Sequence, residues 1–179
     1  MDLPSLWFVF DVESVGLHGE GFAVAYVVVD RDGRSVAHAC YQSPPQLAAG
    51  DLSGHSWVRE NWKGTPDVGM LPTAVAVRRA FWNDWTAWKG KGAAAVADCG
   101  WPVEARFFAA CVDADRAANA WDGPYPLHEL ASLMLAAGLD PLGRRERLPD
   151  ELPEHDPLAD ARQSARLLGE CLIRLAAGG

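Results

Sequence analysis

The chain has 179 residues, 49% of them hydrophobic and 22% charged, which suits one globular domain over 1–179 with its own core. A net charge of −8 and a pI near 5.0 exclude a protein that grips long duplex through a broadly basic surface, leaving a small footprint or a metal-mediated contact. Cys40, Cys99, Cys111 and Cys171 form no C-x-x-C pair, which argues against a zinc site and a disulfide frame.

Taken in chain order, the first apolar run, Leu6 to Phe10 in "SLWFVFDVES", reads as a strand over 6–12 that meets Asp11 and Glu13. It is too short to span a bilayer and no basic leader precedes it, so a cytoplasmic protein without a membrane partner is expected. After the loop "SVGLHGEG", the run "FAVAYVVVDRDGRSVAHACY" reads as strands 22–29 and 34–41 joined by a turn at Asp30 to Gly33. "SPPQLAAGDLSGHSWVREN" is rich in Pro, Gly and Ser and predicts a surface connection, partly helical near 57–62. "PTAVAVRRAFWNDWTAWK" has helical spacing and ends at "GKG", with Trp82, Trp85 and Trp88 facing a core or a partner. "AAAVAD" predicts a strand over 93–98, and "CGWPVEARFFAACVD" a helix with Pro102 in its first turn. A short strand or turn, then a helix over about 126–137, follow in "WDGPYPLHELASLMLAAGLDP". "LGRRERLPDELPEH" is a charged loop, and the spacing of Leu158, Ala161, Ala165, Leu168, Leu172 and Leu175 predicts an amphipathic helix over 157–176. This order predicts an α/β fold: a mixed sheet of three antiparallel strands and then parallel ones, with helices on both faces.

Side chains alternate along a strand, so Asp11 and Glu13 share one side of the first one. Two carboxylates so close repel unless a proton, a basic partner or a divalent cation lies between them, and no Lys or Arg is nearby in sequence. Asp98 closes another strand, and the carboxyl ends of strands are where α/β sheets gather ligands. His155 precedes the last helix and Asp160 lies in its first turns, where the helix dipole favours an acid. Arg162 and Arg166 on that helix read as a solvated face, with phosphate contact as the alternative. Cys99, between a strand and a helix, opens a rival reading as the nucleophile of a cysteine hydrolase.

"FDVESVGL", a hairpin ending in "VVVDRDG", an acid after the next strand and H-x-x-x-x-D at "HDPLAD" together resemble the DEDDh branch of the DnaQ-like 3′–5′ exonucleases, of ribonuclease-H-like fold. The likeness runs from residue 6 to about 168 and departs at the middle motif, where the family carries H-N-x-x-F-D on a helix. The resemblance implies two Mg²⁺ or Mn²⁺ ions held by Asp11, Glu13, Asp98 and Asp160, with His155 as general base and Glu104 as the alternative to Asp98. It further implies a single-stranded 3′ end as substrate, touched by Val15, Gly16, Leu17 and His18, with Arg162 as a further contact. RNA is favoured slightly over DNA, and a homodimer through the tryptophan-rich stretch 57–88 is expected. A binding module with a defunct site is the non-enzymatic alternative.

Overall fold

A computed structural model describes residues 4–178. Strands β1 (Leu6–Ser14), β2 (Gly21–Asp30), β3 (Ser35–Gln42), β4 (Ala93–Ala97) and β5 (His128–Glu129) form one mixed sheet in the order β3-β2-β1-β4-β5. The expected hairpins pair antiparallel, with Phe10 opposite Tyr26 and Tyr26 opposite Ala39. β4 then lies parallel to the other edge of β1, from Leu6 opposite Ala93 to Phe10 opposite Ala97, and β5 adds two parallel residues. The Asp30 to Gly33 turn closes as its residue types dictate: Asp30 Oδ1 accepts from the Asp32 and Arg34 amides, and Gly33 takes φ +76°.

Alternation along β1 sorts the core into two layers. Phe8, Phe10 and Val12 face Val77, Phe81 and Trp85 of α2 (Ala74–Lys89) and Phe107 and Phe108 of the helix at Ala105–Asp113. Trp7 and Val9 face the opposite way, onto Leu130 and Met134 of the helix at Leu130–Ala136 and Ala161, Ala165 and Leu168 of the helix at Pro157–Ala177. Helices therefore cover both faces. A third, smaller cluster places Val58 and Trp62 of α1 (Leu52–Asn61) and its C-cap against Val15 and Phe22. In chain order the remaining helices are α3 (Ala105–Asp113), α4 (Arg116–Asn119), α5 (Leu130–Ala136) and α6 (Pro157–Ala177).

Several boundaries differ from the sequence expectation, each for a local reason. α1 starts at Leu52, well before 57, because the Asp51 carboxylate caps it by accepting from the Gly54 amide at 2.7 Å. α3 does not begin at Pro102: Gly100–Glu104 is a wide π-type turn in which Trp101 is extended (φ −125°, ψ 137°), and regular helix starts at Ala105. α5 begins at Leu130 and not near 126, since His128 and Glu129 pair with Val96 and Ala97 instead. Of the tryptophan-rich stretch, Trp62 and Trp85 are buried within this chain, against Phe22 and against Phe8 and Phe108 respectively. No helix among the described residues is long and apolar enough to cross a membrane.

Candidate metal centre at the sheet end

The alternation that buries Trp7 and Val9 under α6 continues into Asp11 and Glu13, so the apolar face of β1 becomes a carboxylate face at its carboxyl end. β1 runs to Ser14 whereas its parallel neighbour β4 stops at Ala97, which leaves the β1 edge unpaired beyond Phe10. Glu104, on the π-type turn that follows, fills this gap, and its carboxyl accepts a backbone hydrogen bond from Val12. Asp98 directly follows β4 and stays exposed at the rim, its carbonyl accepting from the Ala131 amide at 3.0 Å. Asp160 comes from α6, which Asp156 caps by accepting from the Leu158 and Ala159 amides.

Five carboxyl groups thus feel one another: Asp11 is perturbed by Asp160, Glu13, Glu104 and Asp98. Burial, then these acids, push Asp11 well above the usual carboxylate range. Glu13, 7% exposed, is pushed up to about 8 by burial first and by Asp160 and Glu104 next. Burial and Asp98 lift Glu104 to about 7. Although Asp98 as a residue is exposed at the rim, the protein around its carboxyl strips away part of its hydration and, with Asp160, raises it, while Arg147 pulls it down. Asp160 also lies above its ordinary value through burial, although Arg147 pulls it down.

Arg147, legible in the sequence only as part of a basic spot in a charged loop, engages the centre directly. Its Nη1 donates to Asp160 Oδ1 at 2.5 Å and to the Glu151 carbonyl at 2.8 Å, with Glu154 3.8 Å from Nε. The other basic residues of this region fasten the loop to α6: Arg166 grips the buried Glu151 carboxylate at 2.6 and 2.9 Å, and Arg162 donates to the Asp150 carbonyl. Arg162 is therefore engaged with the protein's own loop.

His155 ends that loop in a left-handed conformation (φ +63°), its N–H donating to Asp160 Oδ2 at 3.1 Å. Its ring meets the edge of Trp57 of α1, centroids 4.8 Å apart at 82°. Ligand atoms of Glu13, His155 and Asp160 lie within 4.8 Å of one another. Beside them Val15, Gly16, Leu17 and His18 line a cleft of about 660 Å³ whose other wall includes Asp51, Gly54 and Trp57. The loop is fixed by Glu20, whose amide donates to the Ala49 carbonyl and whose carboxylate pairs with Arg78, and by Arg106 on the His18 carbonyl. Leu17 and Trp57 keep 66% and 40% of their surface open, and Trp57 links this apolar lip to the acid cluster through its contact with His155.

The donor set suits a divalent hard cation: clustered carboxylate oxygens, one imidazole, and charge that Arg147 alone offsets poorly. Such a cation would hold the acids ionised and remove their mutual repulsion. The thiol of Cys99, on an exposed residue and 3.5 Å from the Trp101 carbonyl, is pushed up by partial loss of hydration and by Glu129, Glu104 and Asp98. A nucleophilic cysteine needs the opposite, an electropositive setting. The chain matches no known family model and no curated protein.

Proposed function

We propose that the protein is a metal-dependent 3′–5′ exonuclease of ribonuclease-H-like fold that hydrolyses phosphodiester bonds from the 3′ end of single-stranded nucleic acid. The observation that carries this reading is the convergence of acids from β1, the β4 end, the π-type turn and α6 with a histidine, beside an open cleft. Asp11, Glu13, Asp98 and Asp160 are the proposed ligands of two Mg²⁺ or Mn²⁺ ions, with buried Glu104 next to Asp98 as the alternative middle acid. When bound, paired divalent ions stabilise negative charge on the attacking and leaving oxygens of an in-line displacement.

The chain's own residues supply the rest. The His155 imidazole accepts the proton of the attacking water, and its edge contact with Trp57 fixes the ring plane. The 3′-terminal nucleotide lies in the cleft of Val15 to His18, its sugar and base against Leu17 and Trp57. A cleft of about 660 Å³ has room for one or two nucleotides, and the net charge of −8 disfavours a grip on long duplex. RNA is the preferred substrate in this proposal.

A binding module without metal is the second reading, favoured by the ion pair between Arg147 and Asp160, which already engages one proposed ligand. Oligonucleotides of RNA and DNA carrying a 5′ label, incubated with Mn²⁺, Mg²⁺ or EDTA, separate the two. The exonuclease gives a ladder of successively shorter labelled products, lost with EDTA and in Asp11→Ala. An absence of metal-dependent shortening with either sugar would leave the binding module as the better account.

A further inference from the structure

Both oxygens of Asp160 are engaged, and by groups on one loop. Oδ1 accepts from Arg147 Nη1 at 2.5 Å, and Oδ2 accepts the His155 N–H at 3.1 Å. Arg147 does not depend on Asp160 for its own place. The same Nη1 donates to the Glu151 carbonyl at 2.8 Å, and Glu151 is in turn fixed by two bonds from Arg166 and by the Leu148 amide at 2.9 Å. The guanidinium, with a side chain 17% exposed, thus spends the two in-plane hydrogens of one nitrogen on the Glu151 carbonyl and the Asp160 carboxylate, seated on a loop that α6 already clasps. His155 stands at φ +63°, where a residue with a Cβ is disfavoured, and its N–H bond to Asp160 offsets that conformation.

We propose that Arg147 is a positioning residue of this centre: it sets the rotation of the Asp160 carboxylate and, through Oδ2, the place of His155, so that both face Glu13 as one unit. The inference rests on the metal-centre reading of the same site. A guanidinium serves better here than an ammonium because its planar donors hold the Glu151 carbonyl and the carboxylate in a fixed relation, whereas a Lys would supply a point charge. Preorganisation of this kind acts on the chemical step more than on substrate capture.

The test compares Arg147→Gln and Arg147→Lys with wild type, and with Arg174→Gln, whose arginine pairs with Glu170 near the far end of α6, as a surface control. In proton–nitrogen correlation spectra of the metal-free protein, the His155 amide resonance moves in Arg147→Gln and stays put in Arg174→Gln. At saturating Mn²⁺, Arg147→Gln lowers kcat by about tenfold or more while KM for a short oligonucleotide stays within about threefold, and Arg147→Lys recovers part of kcat. An unmoved His155 amide would overturn the proposal. So would a raised KM with kcat intact, which would make Arg147 a phosphate contact, or a lower melting temperature with unchanged kcat, which would make it a structural clasp only. Should the wild type lack nuclease activity, the exonuclease reading fails while the amide shift still decides the positioning role.

Discussion

Asp11 and Glu13 illustrate what a side chain costs and does at the same place. Both carboxyl groups are raised by burial and by neighbouring acids, so the metal-free fold holds protons that the unfolded chain releases. For a carboxyl whose folded pKa exceeds its unfolded one, stability is greatest below the unfolded value and is lost as pH rises through the folded value. With Glu13 moving from 4.5 to about 8, the melting temperature of the metal-free protein should fall between about pH 5 and pH 8. A pH series of calorimetric scans with EDTA checks this, and a flat profile would contradict it. Replacing Asp11 by Asn removes a carboxyl that the unfolded chain ionises and the metal-free fold must protonate, so at neutral pH Asp11→Asn should melt higher than wild type in EDTA and gain nothing from Mn²⁺. A lower melting point for that variant in EDTA would mean that the carboxylate is structurally required. The pairing of Asp11 with Glu13 was legible because period-two alternation needs only neighbouring residues. Arg147 as the partner of Asp160 was not: the two are 13 residues apart, brought together by a loop whose path depends on Glu151 and Arg166.

The elements place these groups through close backbone contacts. α1 approaches the loop after β1 so nearly that a Cβ at Gly54 would lie 2.8 Å from both the Val15 carbonyl carbon and its oxygen. Gly54→Ala must therefore push α1, and Trp57 with it, away from Gly16 and Leu17, at a cost of about 1–3 kcal/mol. The expected outcome is a lower melting temperature and a raised KM for oligonucleotides, measured side by side; an unchanged KM would remove the α1 wall from the binding cleft. The three long strands and α6 could be read from sequence, as each carries its own period over many residues. The start of α1, the start of α5 and the π-type turn could not. They depend on one capping carboxylate, a two-residue parallel pairing with β4, and Glu104 reaching the edge that β4 leaves open.

The molecule as a whole joins a net charge of −8 to a centre where Glu13 and Asp160 come together and Asp11, Glu104 and Asp98 add to the same negative field, an arrangement that repels a polyanion unless cations intervene. The sheet order, with β1 central between an antiparallel and a parallel neighbour, brings the acids together from strands, a turn and a helix far apart in the chain. Divalent metal should therefore govern both the stability of the centre and its affinity for nucleic acid. The most direct test is calorimetric titration of Mn²⁺ into wild type, Asp11→Asn and Glu13→Gln at pH 7.5, in two buffers of different ionisation enthalpy. The account predicts saturable binding with net proton release in the wild type, and its loss or severe weakening in both variants. No saturable binding, or binding indifferent to both substitutions, would contradict it.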